Sequence, residues 1–197
     1  MVIPREVVKS NLIDPVETTR QLRKVWQITK AYLFGALHDA TKRKTTYRIG
    51  QKSQAWIELL AKAIRKLGSG AWVYQEGKSR RFWIVEFSKS LLKRVKIASK
   101  QDKIDYIRGY FDTEGGVAKS TTVRYYLYFA QKDRKDLEQV KEYLEQLSIS
   151  CGVTHNPSSR VDPNYWRFFV RAKSYKDFAR IIGSAHPEKA KFLRMKI

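Results

Sequence analysis

The stretch that most constrains this chain runs from Lys103 to Gly116, KIDYIRGYFDTEGG, an apolar helical stripe that ends on an acid followed by two glycines. At helical spacing Ile104, Ile107, Tyr110 and Phe111 share a face, and Gly109 leaves a bare spot where another backbone can approach. Glu114 sits where the helix must stop. An upstream stretch, AYLFGALHDAT, repeats the pattern with Leu33, Gly35, Ala36 and Leu37. Gly35 and Gly109 are 74 positions apart (109 − 35).

The words IRGYFDTEG, with this weaker earlier copy, resemble the core of the LAGLIDADG homing endonucleases. The resemblance covers roughly residues 25 to 195 and is specific in the second motif. It implies that the helices carrying Gly35 and Gly109 pack against each other and present a metal-binding acid at each C-terminal end. The implied fold is α+β, with two pseudo-symmetric αββαββα halves whose antiparallel sheets form a saddle over duplex DNA. The implied activity is cleavage of a long double-stranded DNA site with Mg2+ or Mn2+ by a single-chain monomer, in the service of intron or intein mobility.

The order of elements after each motif supports a duplication. TTYRIGQKSQAWIELLAKAIRKLG aligns with RYYLYFAQKDRKDLEQVKEYLEQLS, which sets Gln51 and Lys52 opposite Gln131 and Lys132 at an offset of 80 (131 − 51). Against the motif offset of 74, the second copy should carry a loop six residues longer. Middle helices are expected through Ile57, Leu60, Ile64 and Leu67, and through Leu137, Val140, Leu144 and Leu147, with Gly68 as a natural stop. AWVYQ and RRFWIVEF read as a hairpin, CGVTH and YWRFFVRA as its later counterpart. SKSLLKRV and AKSYKDFARIIG are expected to close the copies as short helices. A helical pattern is expected from Val16 onward, and the division is an arm at 1–24, a first half at 25–98 and a second half at 99–197.

Composition points to a polyanionic partner without any family argument. Forty Lys and Arg against 19 Asp and Glu give a formal net charge of +21, which favours phosphate contacts and counterion release. A solvated or heat-adapted surface is the competing account, but such adaptation raises Lys and Glu together. The single Cys151 excludes an internal disulfide framework and a Cys-rich zinc site. No stretch is apolar for long enough to span a membrane, and the first twenty residues lack the apolar block of a signal peptide. The expectation is a cytoplasmic, DNA-associated protein that does not bind membranes.

Alternation places Thr122, Arg124, Tyr126 and Tyr128 on one strand face, away from Val123, Tyr125, Leu127 and Phe129. Arg48, Arg80, Arg81, Arg167 and Arg171 add donors on the other expected strands. Arginine reads guanine with two hydrogen bonds, whereas scattered lysines hold phosphates.

Phosphodiester hydrolysis needs a divalent ion that neutralises developing charge and activates water, and carboxylates suit that ion. Glu114, five residues after Gly109 and followed by glycine, fits the family position. Five residues after Gly35 comes Ala40, and the nearest acid is Asp39, one step early. Three accounts stand: Asp39 supplies the second ligand from a shifted or unwound turn, the first half has lost its acid, or Ala40 is an introduced change. Gln51, Lys52, Gln131 and Lys132 are candidates for ordering water and phosphate at the rim, as the resemblance implies, or simply lead into N-caps at Ser53 and Asp133. His38, His155 and His186 read as structural. An RNA-splicing maturase, a DNA-binding regulator and a single-strand nickase are the alternative functions.

Overall fold

The computed structural model describes residues 26–77, 80–120 and 122–194; the expected arm at 1–24 lies outside them. In chain order the first half contains α1 (Lys30–Ala36) with a 3-10 turn at Leu37–Asp39, β1 (Thr41–Lys42), β2 (Thr46–Gln51), α2 (Gln54–Lys66), β3 (Ala71–Gln75), β4 (Trp83–Ser88) and a 3-10 turn at Lys89–Leu92. The second contains α3 (Lys100–Glu114), β5 (Gly115–Val117), β6 (Leu127–Gln131), α4 (Arg134–Gln146), β7 (Trp166–Phe169), a 3-10 turn at Ala172–Ser174, α5 (Tyr175–Asp177) running into a π-turn at Phe178–Ile182, and α6 (Pro187–Arg194). The architecture is α+β, with antiparallel sheets ordered β1-β2-β4-β3 and β5-β6-β7.

Local chemistry explains where the helices begin. Thr29 caps α1 by accepting from the Tyr32 amide at 3.2 Å, so the helix starts there and the helical pattern expected from Val16 does not extend through residues 26–29. Ser99 and Asp102 form a reciprocal capping box at the start of α3. Asp133 caps α4 through the Lys135 and Asp136 amides. At the far ends, Gly68 (φ 90°) follows α2 and Ser148 (φ 62°) follows α4, both in the left-handed region. The Ser69 amide donates to Ile64 and the Ile149 amide to Leu144, so each chain reversal satisfies the last carbonyls in the same way. Gly68 adopts that conformation freely, whereas Ser148 adopts it at some cost.

Each half buries its own core between sheet and helices. Tyr32, Leu33, Ile49, Trp56, Ile57, Leu60, Ile64, Val85 and Phe87 fill the first; Ile107, Phe111, Leu127, Phe129, Leu137, Val140, Leu144 and Phe168 fill the second. Burying each such side chain contributes about 1.5–3 kcal/mol. Both middle helices expected from periodicity are present, 13 residues each and 80 positions apart (134 − 54). In β4, Val85 and Phe87 point inward, while their neighbour Glu86 lies on the outer face with Arg48.

Several expected elements are shorter. Arg80 and Arg81 precede β4 rather than lying on it, and Arg124 sits in the irregular approach to β6. CGVTH pairs only at Cys151 with Val170 and at His155 with Arg167. Gly152 in that segment and the prolines at 157 and 163 limit a continuous ladder. SKSLLKRV forms one 3-10 turn rather than a helix. Cys151 is a buried free thiol, and no described helix is long and apolar enough to cross a membrane.

Candidate active site at the paired helix ends

Helices α1 and α3 cross through their glycines. A Cβ built on Gly35 would fall on the Tyr106 carbonyl, and one built on Gly109 on the Tyr32 carbonyl, with the Tyr110 and Ala36 amides next in reach. The two contact sets repeat at the motif offset of 74 (106 − 32 and 110 − 36), so the crossing is a local pseudo-twofold axis. Only glycine allows backbones this close. Polar side chains lock the crossing: the Tyr32 hydroxyl donates to Asp112 at 2.6 Å, and the Trp56 indole donates to Tyr32 at 3.1 Å.

Beyond the crossing the offset changes, and this change decides the place of Asp39. Glu114 is the last residue of α3, and Gly115 leaves the helix with φ −87°, ψ 157°. Asp39 is the last residue of the 3-10 turn, and Ala40 leaves it with φ −92°, ψ 138°. The following strands confirm the match: Thr41 pairs with Arg48 and Lys42 with Tyr47, as Gly116 pairs with Tyr128 and Val117 with Leu127. These pairs repeat at 75 on one strand (116 − 41) and 80 on the other (128 − 48). Ala40 therefore stands opposite Gly115, not Glu114, which corrects the register expected from counting along the sequence. A 3-10 turn closes in three residues where an α-turn takes 3.6, so the first copy reaches the same end one residue sooner. The expected six-residue insertion is one residue in the helix and five in the loop before β6.

The two carboxylates sit in a setting that favours a cation. Burial, then the charge of Asp39, pushes Glu114 up to about 7, against the pull of Gln131 and Lys189. Asp39 opens to solvent on one side, yet the protein around it raises its carboxyl too, with Lys189 pulling the other way. Neither acid enters a salt bridge among the described residues. A carboxylate at a helix C-terminus also faces the negative end of the helix dipole.

Of the four rim candidates, Gln131 lies against Glu114 and draws its carboxyl down, while its side-chain oxygen accepts from the Lys132 amide at 2.7 Å. Gln51 ends β2 opposite Trp83, in the matching register to Gln131 opposite Trp166. The lysines are placed otherwise. Lys132 extends into solvent with its ammonium 3.8 Å from Asp162, and Lys52 lines an outer groove with Arg80 and Arg81. The ammonium beside the acids belongs to Lys189, 74 positions beyond the nearest carbonyl it binds. Nothing in the local sequence marks it, since only the tertiary fold returns α6 to the end of α3. His38 bridges Tyr106 at 2.7 Å and Asp136 at 3.1 Å, a structural contact between elements.

Of the residues expected to contact nucleic acid, Arg48 and Arg167 lie on sheet strands. Arg48 projects from β2 between Glu76 and Glu86 and over the Tyr74 ring. On the other sheet Arg167 lies over Tyr128 and Phe169. A groove of about 630 Å³ lies beside Arg80 and Arg81, and one of about 480 Å³ beside Arg124, Tyr126 and Arg171.

Comparisons with known proteins agree with this architecture. Residues 101–183 match the family described as LAGLIDADG-like domain. The homing endonuclease I-DmoI, solved in complex with DNA and Mn, superposes with a TM-score of 0.58 at 21% identity over 78% of this chain and 95% of its own. Its complex with DNA and Ca gives 0.60 at 21% identity, over 82% and 94%. The N-terminal LAGLIDADG domain of DUF199/WhiA gives 0.62 at 14% identity, over 85% and 88%. Full-length DUF199/WhiA from Thermatoga maritima gives 0.61 at 14% identity, over 90% of this chain and 64% of that one. The search of curated proteins finds no match.

Proposed function

We propose, for a chain whose residues 101–183 match the LAGLIDADG-like domain family and which has the fold of the I-DmoI homing endonuclease, a function as a site-specific DNA endonuclease that uses a divalent metal. The observation that carries this reading is the equivalence of Asp39 and Glu114 as last residues of two helices in backbone contact. Two carboxylates converge beside a pair of basic, aromatic sheet faces. Among the described residues no group of three or more His, Cys, Asp or Glu is placed to cage a metal. That donor set suits Mg2+ or Mn2+, which take one or two carboxylates from a protein and complete their shell with substrate phosphates and water.

A bound divalent ion supplies Lewis-acid stabilisation of the phosphate and a water acidic enough to attack it. The chain supplies the rest. Glu114, held near a pKa of 7, must release its proton to act as a ligand. Gln131, beside Glu114, favours its charged form. Arg48 and Arg167, stacked on aromatic rings, present guanidinium groups to base edges. Arg80, Arg81, Arg124 and Arg171 line the flanking grooves, where they hold phosphates and set register. Because both motif helices come from one chain, the active unit is a monomer, acting where cellular DNA is. An intron-encoded origin rests on the resemblance alone.

The test begins with selection of bound duplexes from a randomised library, followed by transfer of the selected sequence into supercoiled DNA with Mg2+. Linear product is expected. Open circles alone would indicate a nickase, and tight binding without cleavage would remove the enzyme reading in favour of a binding role. Glu114→Gln should abolish cleavage while DNA affinity changes by less than about twofold in a gel-shift titration, because the carboxylate lies away from the reading faces.

A further inference from the structure

Lys189 sits in the first turn of α6 and donates to the carbonyls of Phe111 at 2.7 Å, Asp112 at 3.0 Å and Gly115 at 2.6 Å. An ammonium has three N–H donors, and here all three are spent on main-chain oxygens at the end of α3. They reach the Phe111 and Asp112 carbonyls in the last turn of a helix that has no basic residue of its own there, and the Gly115 carbonyl just beyond it; the Phe111 oxygen also accepts from the Gly115 amide. Its three short contacts are thus with carbonyls, and among the described residues neither Asp39 nor Glu114 is closed off in a salt bridge.

The lysine is held there firmly. The preceding loop is tied to the Asp112 carboxylate by the Ser184 hydroxyl and by the Ala185 and His186 amides at 2.9 and 3.2 Å. His186 also packs against Trp56 at 5.3 Å between ring centroids. Asp112 in turn accepts from Tyr32 of α1. One buried acid thus connects the glycine crossing, the loop before α6 and the ammonium.

We propose that the Lys189 ammonium is a resident counter-charge for the Asp39 and Glu114 pair. It lets the two carboxylates stand together in the free protein and, by repelling a second cation, makes tight divalent-metal binding depend on the phosphates of bound DNA. The inference rests on the reading of the two acids as the metal site. Electrostatics support it from both sides: Lys189 draws Asp39 and Glu114 down, and Asp112, Glu114 and Asp39 each hold its proton on against burial, which lowers it to about 8. Among the described residues Lys189 is the cation that draws on both Asp39 and Glu114.

The experiment is a Mn2+ titration of the DNA-free protein, followed by the electron paramagnetic resonance signal of the free ion. Lys189→Gln keeps amide donors for the carbonyls and removes the charge; Lys189→Arg keeps the charge. Lys189→Gln should bind Mn2+ on the order of tenfold more tightly than the unaltered protein, the factor a unit charge exerts on a divalent ion at roughly 6 Å even in bulk water. Lys189→Arg should bind as weakly as the unaltered protein. Unchanged or weaker binding by a folded Lys189→Gln overturns the proposal. Should Lys189→Gln unfold, circular dichroism decides: refolding on addition of Mn2+ supports it, because the ion then replaces the lost charge, and failure to refold overturns it.

Adding Glu114→Gln separates the two readings. Mn2+ binding that survives Glu114→Gln in the Lys189→Gln background shows that the acids are not the metal site. Binding that Glu114→Gln removes but Lys189→Gln does not tighten refutes the role of Lys189 alone.

Discussion

Asp39 reaches its place because the chain gives up one residue in the last turn before it, and the strand pairing that follows confirms the match. If that register is functional, the identity of residue 40 should not matter and that of residue 39 should. Asp39→Asn is expected to reduce cleavage at least about a hundredfold, the scale of losing one preorganised electrostatic partner. Ala40→Glu should not restore it, because Ala40 occupies the position of Gly115; single-turnover cleavage of the selected duplex by the double variant measures this. The pH dependence is a second consequence at this scale. Glu114 is raised to about 7 by burial and by Asp39, so below that pH the free enzyme holds a proton that the metal must displace. The Mg2+ concentration for half-maximal cleavage should therefore rise about tenfold per unit as pH falls below about 7, and level off above it. A requirement that stays flat between pH 6 and 8 would contradict this protonation.

The elements show which parts of the fold can be read locally. α2 and α4 were legible because an apolar stripe at 3.6-residue spacing is a local property, and so were Gly35 and Gly109 as contact points. The 3-10 turn at Leu37–Asp39 was not, since LHDA carries no signal that separates it from an α-turn. Its register is set by β1, which the sequence barely marks with two residues. The approach to β6 misled for a related reason: alternation in TTVRYYLY predicts a strand, but β5 ends at Val117 and β7 at Phe169, so the ladder begins at Leu127. Lys189 lies outside any local pattern, because its partners are main-chain carbonyls far away in the chain. The glycine crossing supplies the prediction here. Gly35→Ala and Gly109→Ala each drive a methyl group into the facing carbonyl and should cost at least about 2 kcal/mol by urea unfolding. Gly70→Ala, whose Cβ meets nothing closer than the Trp72 ring at 3.6 Å, should change stability by less than about 0.5 kcal/mol. Equal effects at the three positions would mean that α1 and α3 do not meet through glycine.

At the scale of the whole molecule, the net charge of +21 is distributed among groups with different tasks. Arginines stacked on rings in the sheet faces are held at one orientation, which suits reading base edges; those lining the two grooves lack such stacking and suit phosphates. Counterion release distinguishes the two classes, because each neutralised phosphate adds about −0.9 to the slope of log K against log salt. A saddle that engages six or more phosphates should give a slope of about −5 or steeper and lose on the order of a thousandfold in affinity between about 50 and 200 mM salt. Arg80→Ala, Arg81→Ala and Arg124→Ala should each make the slope shallower by about one and weaken every duplex equally. Arg48→Ala should leave the slope nearly intact and instead lose about 1–3 kcal/mol of discrimination at one base pair, seen as a position that becomes random when the library selection is repeated. The reverse assignment, with sequence preference lost at Arg80 and slope lost at Arg48, would place DNA on the flanks of this molecule rather than across its sheets.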